Sequence, residues 1–185
     1  MNKIKQISKI SLFAAFISVS VYLIPPFMIP FVQIPFTMQT MFIILAGFIF
    51  TPFEAFLTVL LYVFIGAVGL PVYSGARGGM SVLLGPTGGF IMLFPLVSLL
   101  IATLKSKTKN IIYDLIVGIF IAIISLYLLA NIWLSVTLSL NYWVALLSLL
   151  PFIPLDVVKL LLAYFVYIKL PNELISTKIQ KRKTI

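Results

Sequence analysis

The stretch LPVYSGARGGMSVLLGPTGGF, residues 70 to 90, sets six glycines and one arginine between long apolar segments. Glycine tolerates positive φ and lets backbones approach closely, and its bare N–H groups suit an anion or a carbonyl oxygen at a helix start. Gly75, Gly78, Gly79, Gly85, Gly88 and Gly89 therefore allow two readings, a ligand-facing loop or tight helix packing. No G-K-[ST] follows, so the stretch is not a phosphate loop. Arg77 has no carboxylate near it in sequence and offers a planar fork suited to a ligand carboxylate, although a lipid headgroup would also engage it.

On either side of this loop the chain is too apolar for one water-soluble core. Of its 185 residues 62% are hydrophobic and only 9% charged, with a mean hydropathy of +1.22. These values indicate an all-α integral membrane protein forming a single domain over residues 1–185. The absence of cysteine and histidine excludes the usual thiolate and imidazole chemistry, including zinc or haem ligation by those residues. Spans long enough for a hydrocarbon core fall at 7–24, 37–50, 52–70, 86–104, 111–138 and 155–170, a bundle of six helices.

The net charge of +9 reads as orientation, not as a nucleic-acid footprint. With a cytoplasmic N-terminus, eleven of the thirteen cations lie inside: Lys3, Lys5, Lys9, Lys105, Lys107, Lys109, Lys169, Lys178, Lys181, Arg182 and Lys183. This topology puts both termini in the cytoplasm of a multi-pass protein of the cell membrane, with a basic tail at 171–185 near anionic lipid. The N-terminal lysines and apolar run imitate a signal peptide, but no A-x-A-like site follows, so the first helix is expected to be retained. In TPFE, Thr51, Pro52 and Glu54 spell a capping box, a structural role preferred over proton carriage for Glu54.

Arg77 and Lys159 are the two cations that orientation leaves unexplained. Lys159 lies ten residues from the Lys169 boundary, roughly 15 Å into the bilayer at 1.5 Å per residue. Asp156 stands three residues away on the same helical face. A charge at a helix centre costs about 2.5–3.5 kcal/mol on insertion scales, so the two are expected to face the bundle interior, as a site or as a mutual ion pair. Arg77, Asp156 and Lys159 together would give an outward-facing pocket of net charge +1, matched to a monoanionic solute. Phe36, Tyr73 and Phe90 would suit a largely apolar ligand body. In the first helix, Ser11 with Ala15 and Ala14 with Ser18 form small-xxx-small pairs that serve internal packing or a partner membrane protein.

Four segments resemble the BioY-type biotin-binding S components of energy-coupling factor (ECF) transporters, in order and approximate spacing. They are IPFTMQTMFIILAG (34–47), LYVFIGAVGLPVYSGARGG (61–79), LLGPTGGF (83–90) and PFIPLDVVKLLLA (151–163). The resemblance implies a six-helix protein that captures biotin from outside and joins a transmembrane coupling protein and two cytoplasmic ATPase subunits, with no cofactor of its own. It implies that Lys159 and Arg77 bind the valerate carboxylate, and that Asp156 accepts ureido N–H bonds or orients Lys159. Thr37 and Gln39 are weaker candidates. The first-helix pairs would contact the coupling protein, with Ser11 and Ser18 where alanine is more usual, and Leu155 stands where many members have glycine.

Other readings are the same machinery with another vitamin, a stand-alone biotin importer, an intramembrane hydrolase pairing Asp156 with Glu54 or Asp114, and a structural protein whose charges pair internally. The hydrolase fares badly because Glu54 and Asp114 are expected near the cytoplasmic ends, far from Asp156.

Overall fold

The computed structural model describes residues 3–23, 27–28, 35–171 and 173–176. Lys178, Lys181, Arg182, Lys183 and the Phe36 side chain lie outside this described part. The chain folds as a helical bundle whose only strands among the described residues are a two-residue antiparallel pair, β1 (Phe27–Met28) and β2 (Pro35–Phe36). The helices are α1 (Lys3–Leu23), α2 (Gln39–Ile49), α3 (Pro52–Ala67), α4 (Met80–Leu83), α5 (Gly88–Leu104), α6 (Ile111–Gly118), α7 (Leu126–Thr137), α8 (Tyr142–Leu149) and α9 (Ile153–Lys169).

Two expected spans are rebuilt. The fifth runs from Ile111 to Thr137, but a π turn over Ile119–Ser125 joins α6 to α7. The last does not begin at residue 155: α8, a 3₁₀ turn at Leu150–Phe152 and α9 make one 28-residue helical stretch from Tyr142. Pro151 and Pro154 lie in the opening turns of the 3₁₀ segment and of α9, where a missing N–H costs little, so they are absorbed without ending the run. Lys3–Tyr22, Ile111–Thr137 and Tyr142–Lys169 are long and apolar enough to cross a membrane, whereas α2, α3 and α5 are apolar but shorter.

The outer surface is apolar where a soluble protein's would be charged: Phe64, Ile112, Val136, Trp143 and Leu147 are all exposed. Inside, α5 packs on α2, α3 and α7, and α9 packs on α2. Close approach is set by glycine. Gly47 lies against Ile101, Gly89 against Trp133 and Gly118 against Leu160, where an added Cβ would collide with each side chain.

The turn between α2 and α3 is tightly specified. The Glu54 carboxylate accepts the Thr51 N–H at 3.1 Å and its hydroxyl at 2.8 Å, the reach-back of the expected capping box. Lys105, one of the expected orientation charges, is buried. Its ammonium donates to the carbonyls of Gly47, Phe48 and Phe50 at 3.0, 2.7 and 2.8 Å, at the C-terminal end of α2. These are orphan carbonyls at the negative pole of a helix, and three acceptors match the three donors of a charged lysine. Burial lowers the Lys105 pKa to about 7, while Asp114 and Glu54 oppose the fall. The N–H of Ser176 donates to the Ile49 carbonyl at 2.9 Å, closing the same helix end.

Lys105→Met removes three charge-assisted hydrogen bonds and leaves buried carbonyls unpaired, so it is expected to destabilise the protein by roughly 2–3 kcal/mol. Thermal unfolding in detergent measures this, and a melting temperature equal to that of the native protein would refute the capping role.

Candidate ligand-binding site

A cavity opens where α2, α5, α7 and α9 converge beneath the glycine-rich loop, with Gln39, Thr40, Ser74, Phe90, Tyr127, Asp156 and Lys159 in its wall. Its floor is charged. Lys159 and Asp156 are 4% and 7% exposed, and Lys159 Nζ donates to Asp156 Oδ1 at 2.6 Å. The i, i+3 spacing on α9 makes this contact local. Neither charge could rest in hydrocarbon alone, so each stabilises the other's burial.

Two further helices complete the pair's coordination. The Thr40 hydroxyl on α2 accepts from Lys159 at 3.1 Å and lies 3.4 Å from Asp156 Oδ1. On α7, the Tyr127 hydroxyl donates to Asp156 Oδ2, and its ring meets Phe90 edge to face at 6.0 Å. Both carboxylate oxygens therefore have a protein donor before any ligand arrives. An ionised carboxylate has about four acceptor positions, so room remains for another N–H. Around this polar floor, Phe90, Ile91, Phe94, Leu126, Leu149 and Phe152 form apolar walls.

Of the residues expected at the site, Thr37, Gln39, Phe90, Asp156 and Lys159 line the cavity together. Arg77 does not. It is exposed, its Nε donates to the Ser74 carbonyl at 3.2 Å, and its backbone pairs with Tyr73 in an antiparallel bridge. Of the three expected charges, Asp156 and Lys159 stand in the cavity wall and balance each other, and Arg77 sits outside the wall beside Ser74.

The expected glycines are also absent from the lining and build the loop instead. Gly75 and Gly79 take φ of 75° and 94°, open to glycine at little cost. Gly78 packs on the Leu70 carbonyl and Gly88 on that of Leu83, leaving no space for a Cβ. The Gly85 carbonyl accepts from Trp133 Nε1 at 2.9 Å. Tyr73 is fully buried under Gly66, its hydroxyl bonded to the Val63 carbonyl at 2.5 Å, so it fastens the loop from behind.

The α1 pairs divide between two faces. Ala14 and Ser18 are buried within the chain, with the Ser18 hydroxyl turned back to the Ala14 carbonyl at 2.9 Å, so internal packing replaces their expected partner contact. Ser11 and Ala15 face outward.

Thr40, Ser74 and Tyr127 were not singled out in the sequence. Thr40 lies inside a quoted segment without a charge to mark it, and Tyr127 sits in an apolar run. Neither Glu54 nor Asp114 reaches the cavity; Asp114 accepts the Ser106 N–H at 2.5 Å, so no second carboxylate joins Asp156 there.

The BioY family profile matches residues 1–175. The chain belongs to the BioY family. It is 34% identical over 157 residues to a probable biotin transporter BioY of Pyrococcus horikoshii, covering 85% of this chain and 90% of that one. A probable biotin transporter BioY of Bacillus subtilis is 31% identical over 176 residues, covering 94% of each chain. The crystal structure of an S component for biotin from an ECF-type ABC transporter superposes with a TM-score of 0.85 at 29% identity, covering 90% of this chain and 92% of that one. Family membership thus joins a transporter fold to a cavity whose floor holds a buried ion pair with its own hydrogen-bond frame.

A double-mutant cycle tests that pair. Lys159→Met alone strands a buried carboxylate and is expected to cost about 3–5 kcal/mol, whereas Asp156→Leu with Lys159→Met costs much less. Additive losses, read by thermal unfolding, would mean that the two charges do not stabilise one another.

Proposed function

We propose that this protein is a biotin-uptake S component, a membrane-embedded subunit that captures biotin from outside for import driven by ATP-hydrolysing partners. The observation that carries this reading is the buried Asp156–Lys159 pair between aromatic walls, in a chain of the BioY family. Biotin combines an apolar bicyclic body with a ureido group and a carboxylate. Asp156 has acceptor capacity for a ureido N–H, Lys159 can donate to a ligand oxygen, and Phe90, Phe94 and Phe152 supply apolar cover. Because the cavity wall is neutral, Arg77 beside Ser74 is the group best placed to compensate the carboxylate near the mouth.

The finer assembly belongs to the same proposal. Six helical spans would place both termini in the cytoplasm of a multi-pass cell-membrane protein, with Arg77 outside. The partners would be a transmembrane coupling protein and two cytoplasmic ATPase subunits, which use the ATP; no cofactor or nucleic acid is required. The exposed Ser11 and Ala15, beside an apolar groove lined by Leu12, Phe16, Phe42 and Leu170, offer the coupling protein a close approach.

Equilibrium binding of labelled biotin to detergent-purified protein tests the function, with thiamine and riboflavin as competitors. Biotin-selective binding, weakened at least about tenfold by Arg77→Ala, or about 1.4 kcal/mol, is expected. No biotin binding by a folded sample would overturn the ligand assignment.

Topology has its own test, because the chain lacks cysteine. In sealed right-side-out vesicles, Ala76→Cys should react with an impermeant maleimide, and Lys107→Cys should react only after permeabilisation. The reverse pattern would invert the orientation.

A further inference from the structure

Gln39 lines the cavity, yet its amide is committed to the protein. Its Nε2 donates to the Tyr62 hydroxyl on α3 at 2.6 Å and to the Val72 carbonyl in the glycine-rich loop at 2.8 Å. Those two bonds use both amide hydrogens. The Tyr62 hydroxyl lies 3.5 Å from the same Val72 carbonyl, and Gln39 Oε1 accepts from Thr37 at 3.3 Å. Gln39 is 4% exposed and Tyr62 fully buried, so water does not substitute for these partners.

Two residues beyond Val72 stands Ser74, in the cavity wall, and Arg77 is bonded to its carbonyl. We propose that Gln39 is a positioning residue for ligand capture: its amide pins Val72 to α2 and α3 and thereby holds Ser74 and Arg77 at the cavity mouth. Gln39 does not donate to the ligand, since doing so would release the loop. The loop's other ties do not come from the cavity wall: Tyr73 pairs with Arg77 through the backbone and reaches the Val63 carbonyl behind the loop, Gly79 N–H bonds to the Gly66 carbonyl, and Tyr22 of α1 donates to the Pro71 carbonyl at 2.6 Å. Of the side chains in the cavity wall, Gln39 is the one bonded to the loop's backbone on the cavity side. Its consequence for affinity rests on the capture reading above; its consequence for the loop does not.

Arg77 supplies the readout, because it is the sole tryptic site between Lys9 and Lys105 and is exposed. Detergent-purified native protein, Gln39→Leu and Gln39→Glu are digested briefly with trypsin, and cleavage after Arg77 is compared by mass with cleavage after the exposed Lys107. Leucine removes the donors at similar size, and glutamate keeps the shape while setting a carboxylate against the Val72 carbonyl. The expected result, without ligand, is cleavage after Arg77 at least about tenfold faster in both variants, with cleavage after Lys107 unchanged. Tyr62→Phe, which retains the Val72 bond, should give a smaller rise and serves if a Gln39 variant does not fold. Equal cleavage after Arg77 in native and variant proteins overturns the proposal, as does equal acceleration at Lys107, which signals general loosening. A second arm adds biotin: faster biotin dissociation in the variants supports the capture role, and an unchanged dissociation rate overturns it. If native protein binds no biotin while the variants still expose Arg77, the ligand assignment fails and the loop anchor stands.

Discussion

A lysine and an aspartate one helical turn apart, both shut away from water, are the constraint to which the rest of this bundle answers. In an apolar interior a lone ammonium or carboxylate is unaffordable, and even a pair needs its spare donors and acceptors met. Thr40 and Tyr127 meet them from α2 and α7, so three helices are held to one orientation by a single buried contact. The cavity beside that contact is therefore lined by groups already fixed in place. Pre-organisation of this kind lowers the entropic cost of binding a small ligand.

The same logic of satisfying buried polar groups repeats at the other end of α2. There Lys105 and the N–H of Ser176 take up carbonyls that a helix end leaves open. α2 is eleven residues long, and its two ends are fixed by different means: Gln39 and Thr40 bond to the loop and to the ion pair, and the far end receives a lysine. Shortness in this helix is compatible with a membrane setting because its termini are capped by protein.

Much of this was legible in the sequence. Asp156 and Lys159 could be paired from their spacing and the cost of stranding either in hydrocarbon, and TPFE announced the capping geometry of α3. The fate of Lys105 was not legible, because a lysine at the end of an apolar segment reads as an orientation charge until its acceptors, more than fifty residues away, are located. Glycines likewise announced close approach without saying what approaches: Gly78 meets the Leu70 carbonyl, and Gly88, at the start of α5, meets that of Leu83. Tyr127 escaped for a different reason. A tyrosine in a long apolar run carries no local mark of facing a carboxylate, and the helix that presents it is not regular.

That irregularity has a geometrical consequence. Each residue of an α-helix turns about 100°, so Gly118 and Tyr127, nine residues apart, would point in roughly opposite directions along an unbroken α-helix. Yet Gly118 packs on Leu160 and Tyr127 bonds to Asp156, positions four apart on one face of α9. The π turn over Ile119–Ser125 reconciles them, since i→i+5 bonding takes up roughly one extra residue with no added rotation and narrows the angle to about 80°. The span can thus lay two successive stretches against the same neighbour, one for packing and one for the site. A chain lacking one residue within 119–125 could run as a regular helix and keep its tyrosine toward the aspartate, since eight residues also leave about 80°; straightening the span with every residue retained is what would turn the tyrosine away.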